Sequence, residues 1–272
     1  MQTMIPTPQG QTRLFAVIGD PVTQVQAPQL MNALFHEAEV DAVMVPVQAS
    51  PRQFATVLAG LMAMGNCDGI LVTIPHKFAV AELVGRRSGM VELTGAANAL
   101  RRDADGLWSA ENFDGRGFVA GLRKTGQDLS AGPAVLYGAG GAGVSIAAAL
   151  LEGGVRRLHV VDPVAEKVNT LLRRLSGEWP GAILTGEPPL HDATLVVNAT
   201  PLGLRAEDPI PFDPAHLHPG TRVADIIMKP RETRLLREAA RLGLPVQPGL
   251  PMLAEQIPFY RDFFGVVAPV PA

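Results

Sequence analysis

From residue 134 to residue 151 the chain runs 18 residues without a charge, and Gly138, Gly140, Gly141 and Gly143 fall within the first ten residues of that run. A stretch so apolar could be read as a membrane span, but glycines clustered in this way suit a strand, a tight turn and a helix. Val135-Leu-Tyr precedes Gly138-Ala139-Gly140-Gly141-Ala142-Gly143, so a G-x-G-x-x-G spacing follows one strand and opens one helix. In that pattern Gly138 permits the turn, Gly140 lets the backbone approach a pyrophosphate, and Gly143 allows close helix–strand packing. The helix start then offers N–H groups and a positive dipole end to phosphates. Such glycines can also be purely structural; the strand before and the helix after favour dinucleotide binding.

Asp162 ends the next strand, 19 residues after Gly143. A carboxylate there can accept from adenosine ribose hydroxyls and would repel a 2′-phosphate, so NAD is expected and NADP is less favoured. The alternative is that Asp162 starts a turn before Pro163 and caps the next helix. Asn198-Ala-Thr200-Pro-Leu-Gly203 ends a later strand. In a doubly wound sheet Thr200 would lie beside the cofactor, beyond the carboxyl ends of the strands. Ordinary turn chemistry is the other reading of that segment.

Apolar runs alternate with helical patterns along the chain, which argues for an α/β protein with parallel sheets covered on both faces. In the first block the strands are expected at 14–18, 42–47 and 69–73, and the helices at 28–38 and 51–64. A polar, turn-rich run at 124–133 is taken as the domain boundary. Beyond it, strands are expected at 134–137, 157–161, 195–198, 222–225 and 245–247. Helices are expected at 141–152, 165–175 and 233–242, and a last one at 252–264. The expected division is residues 1–123, with 250–272 packing back on them, and a dinucleotide-binding domain at 124–249.

A net charge of −3 and 5% aromatic residues argue against a nucleic-acid partner. The start, MQTMIPTPQGQT, lacks a basic then apolar pattern and reads as a short disordered lead-in rather than a signal peptide. Cys67 is the one cysteine, which fits a reducing, cytoplasmic setting and excludes an intramolecular disulfide. None of the six histidines pairs at metal-ligand spacing, so no metal is expected.

In the first block Lys77 follows Val72-Thr73-Ile-Pro-His76, Asn98 lies in Gly95-Ala-Ala-Asn98, and Asp114 lies in Asn112-Phe113-Asp114-Gly115. Together they would supply a proton donor, an orienting amide and a carboxylate, the parts needed to reduce a ketone beside a nicotinamide. Taken singly, each is unremarkable, and a lysine after a strand is usually a solvated charge.

These motifs, with Ile18-Gly-Asp-Pro21 and Gly249-Leu-Pro-Met252-Leu, occur in one order over nearly the whole chain, and in this the chain resembles the shikimate dehydrogenase family. The resemblance implies two α/β domains, the second a doubly wound Rossmann domain. It also implies an NAD(P)-dependent alcohol dehydrogenase acting on a small cyclic substrate, as a monomer or homodimer. By the same resemblance Lys77 is the catalytic lysine and Asp114 its partner. Asn98 and Gln256 would contact substrate hydroxyls, Thr73 would line the substrate site, and Gly249 and Met252 would lie near the nicotinamide.

The chain also departs from the family pattern. Val25 and Ala27 stand where the family has two serines that hold the substrate carboxylate. Leu71, Ala99, Phe113 and Met228 replace an asparagine, two threonines and a tyrosine. Asp162 occupies the place where NADP-using members commonly show Asn-Arg-Thr. The proton-transfer residues are kept and the substrate-recognition residues are altered. The expected activity is therefore hydride transfer between NAD and a cyclic polyol or keto acid related to shikimate or quinate, with an altered carboxylate site. A nucleotide sensor on a dehydrogenase scaffold is the rival reading.

Overall fold

Phe15, Ala16, Val17 and Ile18 are buried in succession in β1 (Arg13–Gly19), as expected of a strand covered on both faces. The computed structural model describes residues 7–266 except 186, 187 and 189; the first half of the expected lead-in and the end of the chain lie outside the described residues. After β1 come α1 (Ala27–Glu37), β2 (Ala42–Gln48), α2 (Phe54–Ala63), β3 (Cys67–Val72), α3 (Lys77–Leu83), β4 (Arg86–Arg87), α4 (Gly89–Thr94), β5 (Ala99–Arg102) and β6 (Trp108–Glu111). Then follow α5 (Asp114–Lys124), β7 (Ala134–Tyr137), α6 (Gly141–Glu152), β8 (Arg157–Val161), α7 (Ala165–Glu178), β9 (Ile183–Thr185), β10 (Leu195–Asn198), β11 (Arg222–Asp225), α8 (Arg234–Arg241), β12 (Val246–Gln247), α9 (Leu250–Ala254) and α10 (Ile257–Phe263).

The chain divides into two units, residues 1–113 with 256–272, and residues 114–255. Unit 1 holds a six-stranded sheet in the order β2-β1-β3-β5-β6-β4. Strands β2, β1 and β3 run parallel, but β5 is antiparallel to both β3 and β6. This corrects the wholly parallel sheet expected there. The reason is a tight connection between β5 and β6, closed by the Asp103 N–H on Leu107 O at 2.7 Å, with Gly106 at φ 82°. One sheet face packs Ala16, Ile18, Ile70 and Val72 against Phe54, Leu58 and Val80. From the other face Phe15 meets Phe35 at 4.9 Å and Phe264, just past α10, at 5.1 Å. A Cβ on Gly69 would lie 2.6 Å from both the Phe15 and Phe264 rings, so that glycine makes room for them.

Unit 2 holds six parallel strands in the order β12-β11-β10-β7-β8-β9, which read from the β9 edge is 3-2-1-4-5-6. The strand order reverses between β7 and β10, where open α/β sheets bind ligands. The division expected from sequence differs from these units by α5 and α9. Both helices lie in unit 2, where α5 packs on α6 and on α9. Gly115 allows the first contact, because a Cβ there would stand 2.1 Å from the Ser145 carbonyl oxygen. The single helix expected at 252–264 is two, α9 and α10, each with a proline in its first turn. No helix among the described residues is long and apolar enough to cross a membrane.

Candidate active site

In unit 1 the candidate residues gather where β1 and β3 end. The Thr73 N–H donates to Ile18 O at 2.9 Å and the Asp20 N–H to Ile74 O at 2.9 Å, which ties the two strand exits together. Gly19 fits there because a Cβ would lie 2.4 Å from the Thr73 methyl. His76 is buried, stacks on Phe54 with ring centroids 4.1 Å apart, and places Nε2 2.7 Å from Ala49 O. Lys77 opens α3 and is only 8% exposed, so it is a buried side chain and not the solvated one of the alternative reading. Its carbonyl accepts the Ala97 N–H at 2.9 Å, which anchors the Gly95–Asn98 turn to α3.

Asn98 lies between β3 and β6, its carbonyl accepting from Val72 N–H and its own N–H donating to Glu111 O. Its side chain reaches Gln256 and Tyr260 and accepts the Phe113 N–H at 2.9 Å. Phe113 is buried against α10, stacked on Phe259 at 5.8 Å and edge-on to Tyr260 and Phe263. Ala27 is buried at the start of α1 and Val25 is half-buried in the loop before it. Gln24 and Gln26, two polar groups that could stand in for the missing serines, donate to the carbonyls of Pro21 and Gln24.

In unit 2 Asp114 opens α5 and is buried. The glycine loop joins β7 to α6. Gly138 has φ 103°, and a Cβ there would lie 2.7 Å from Ala199 O. At Gly143 a Cβ would stand 1.9 Å from the Gly138 carbonyl oxygen. At Gly140 it would meet nothing within 4 Å, so the backbone there is open on that side. Gly140 caps α6 without a side-chain bond, and no acidic residue follows in the first turn. An open glycine beside an uncapped, acid-free helix start is a cradle that fits a phosphate.

The Asp162 carboxylate accepts the Ala139 N–H and the Val164 N–H, each at 2.9 Å. It is built into the glycine loop and the turn before α7, as the turn half of the alternative reading has it, but it does not cap that helix, whose N-cap is Val164 with no side-chain cap bond. Thr200 Oγ1 donates to Asn198 Oδ1 at 2.7 Å and accepts from Leu202 N–H at 3.1 Å, so it closes its own turn. Gly249 lies against the Ile226 and Ile227 carbonyls, where a Cβ would come within 2.5 Å of both. Met252 is buried one turn on, its N–H on Gly249 O.

Two residues that were not singled out in the sequence belong to these clusters. Asp225 ends β11 buried, accepting from Ile227 N–H, the Thr233 hydroxyl at 2.7 Å and Asn198. Burial pushes its carboxyl above the usual range against those three donors. Its position at a strand end beside Asn198 was the available signal. Tyr260 is the other; it stands four residues after Gln256, on the same helix face. Among the described residues no group of three or more His, Cys, Asp and Glu side chains could hold a metal.

Strand order and glycine loop together define a dinucleotide-binding oxidoreductase fold joined to an α/β substrate domain. Residues 17–100 match the family model of the shikimate dehydrogenase substrate binding domain. The chain is 35% identical over 268 residues to a shikimate dehydrogenase (NADP(+)) of Rubrobacter xylanophilus, covering 96% of this chain and 94% of that one. A crystal structure of a shikimate dehydrogenase in complex with NADP+ superposes with a TM-score of 0.87 at 25% identity, over 97% of this chain and 93% of the other. The ligand-free 5-ketofructose reductase of Gluconobacter sp. strain CHM43 gives 0.80 at 26% identity, over 94% of each chain. The chain belongs to the shikimate dehydrogenase family and is an NAD(P)-dependent oxidoreductase of that type. The expectation that NADP is less favoured than NAD is overturned by the NADP-named relative and the NADP+ complex. It rested on a free Asp162 carboxylate, whereas both its oxygens accept backbone N–H groups.

Proposed function

We propose that this shikimate dehydrogenase-type enzyme interconverts a secondary alcohol and a ketone on a polyhydroxylated substrate whose recognition does not use the family's carboxylate site. The observation that carries this reading is a contrast within unit 1. Lys77, opening α3, and Asn98, just before β5, are buried, while the positions of the two serines hold Val25 and Ala27, which have no hydroxyl.

The residues that would hold the cofactor are Gly138 to Gly143, with Thr200, Gly249 and Met252 on the neighbouring loops. When bound, it supplies or accepts the hydride at the reacting carbon. Lys77 gives the proton on Nζ to the carbonyl oxygen in reduction and takes the hydroxyl proton in oxidation. Asp114 holds a substrate hydroxyl and keeps the lysine oriented; Asn98 and Gln256 bind further hydroxyls, and Thr73 lines the site. The Gluconobacter neighbour, named for a ketose, supports a neutral substrate within this fold. A cytoplasmic setting is supported by the single cysteine, Cys67, which is buried.

Two serine hydrogen bonds to a carboxylate are worth roughly 3–6 kcal/mol together, or about 10²–10⁴-fold in affinity. The test is turnover of shikimate, quinate and myo-inositol with NAD+ or NADP+, and of 5-ketofructose with the reduced cofactors, followed by nicotinamide absorbance. Shikimate should show a high KM or no turnover, and the double change Val25→Ser with Ala27→Ser should lower that KM with less change in kcat. Efficient shikimate turnover at micromolar KM by the unaltered protein would refute the altered carboxylate site.

A further inference from the structure

Asp225 closes β11 in unit 2 at 1% exposure, and three donors converge on its carboxylate. The Ile227 N–H reaches Oδ1 at 3.0 Å and the Thr233 hydroxyl reaches Oδ2 at 2.7 Å. That hydroxyl also accepts the Leu236 N–H, so its one proton goes to Asp225. Asn198 is the third donor. The Thr200 N–H can only donate, and it donates to Asn198 Oδ1 at 3.0 Å, so the amide turns Nδ2 toward Leu202 O and Asp225. Each of these groups donates, which fits the anion and not the acid. Among the described residues no lysine, arginine or histidine pairs with Asp225. A buried anion is costly unless a cation balances it, and these neutral donors supply none.

Position in the sheet ties this charge to the cofactor. A sheet of this strand order has two halves, each of which takes one nucleotide of the cofactor. The half β7–β9 carries the glycine loop and takes the adenosine end, so the nicotinamide end belongs over the carboxyl ends of β10–β12. Asp225 ends β11, the middle strand of that half. The next two residues, Ile226 and Ile227, turn their carbonyls to Gly249, so the carboxylate lies one layer behind that turn. The oxidised nicotinamide ring is a cation; a hydride from the substrate carbon brings it two electrons and leaves it neutral. We propose that Asp225 determines which redox form of the cofactor is held more firmly, its buried charge stabilising bound NADP+ relative to bound NADPH. The inference rests on the cofactor site of the proposed function. On the enzyme, such a bias favours hydride leaving the reduced form, which is ketone reduction.

The test is equilibrium titration of the full chain, unaltered and with Asp225→Asn, using NADP+, NADPH and 2′-phospho-ADP-ribose, which has no nicotinamide. Asparagine keeps the shape, and the Thr233 hydroxyl can turn to accept from its Nδ2. The change should raise Kd for NADP+ roughly three- to thirtyfold, the range for unit charges several ångströms apart at an effective dielectric of about 20. Kd for NADPH and for the fragment should move less than about twofold. Thr233→Ala removes one donor and keeps the charge, so it should shift the two redox forms alike. Equal weakening of NADP+ and NADPH by Asp225→Asn would overturn the proposal and leave Asp225 as an organiser of loops. If the asparagine chain does not fold, the unaltered one decides: it should hold NADP+ at least as tightly as NADPH, and tighter binding of NADPH would overturn the proposal. Failure of all three probes to bind the unaltered chain would overturn it together with the proposed cofactor site, a result distinct from equal weakening.

Discussion

Lys77 is only 8% exposed, a position that lysine rarely takes without a use for it. If it is the proton donor, Lys77→Ala should cost roughly 10²–10⁴-fold in kcat, the usual size of a general acid–base contribution. NADP+ affinity should stay within about twofold, because the glycine loop belongs to the other unit. Steady-state kinetics and a cofactor titration check the two halves, and a kcat within a few-fold of wild type would return Lys77 to a structural role. At this scale the sequence showed residue types but not their partners. Lys77 and Asn98 stand out in motifs and Gln256 through the family resemblance, whereas Tyr260 joins them through hydrogen bonds with Asn98, just before β5, and with Gln256 at the start of its own helix. Asp162 was visible too, but its engagement with Ala139 and Val164 depends on how the loop folds back, which spacing does not encode.

Within the loop from β7 to α6, glycines that look alike in the sequence do different work. Gly143→Ala drives a methyl into the Gly138 carbonyl, backbone that cannot yield, and should destabilise by roughly 1–3 kcal/mol or more in urea unfolding. Gly140→Ala meets open space and should leave stability within about 0.5 kcal/mol. That methyl would stand on the side a pyrophosphate approaches, so NADP+ affinity should fall about tenfold or more. Equal effects of the two changes on stability would refute this division of labour. The strands and helices around the loop were legible because their apolar runs and periods are strong. The β5–β6 hairpin was not: Ala99-Leu-Arg-Arg and Trp108-Ser-Ala-Glu are short and half charged, and only Asp105-Gly106 between them signals a turn. Helix α5 was hidden by Gly115, Gly117 and Gly121, whose low helix propensity is outweighed where α5 lies close to α6.

Taken whole, the chain interrupts one unit with another. Unit 1 takes α10 and Phe264 from beyond unit 2, and the Phe264 ring covers Phe15 in the slot left by Gly69. Phe264→Ala should destabilise unit 1 by roughly 3–5 kcal/mol, as for other buried phenylalanines. A chain ending at Glu255 should lose the cooperative unfolding of unit 1 and still bind NADP+ through unit 2. Denaturant titration and cofactor fluorescence check both, and an intact unit 1 in the shortened chain would contradict the prediction. Where the units part was the least legible feature. Membership of α5 and α9 is decided by helix–helix contacts, whereas the polar run at 124–133 marks only a loop between elements of one unit.

The interruption gives the two units different histories on the ribosome. Unit 2 is continuous in sequence and has all its strands once Glu255 has been made. Unit 1 starts first and finishes last. Until residues 256–266 emerge, the sheet face around Phe15, Phe35 and Gly69 lacks its aromatic cover, and for that interval the nascent chain carries an exposed apolar patch of the kind chaperones bind.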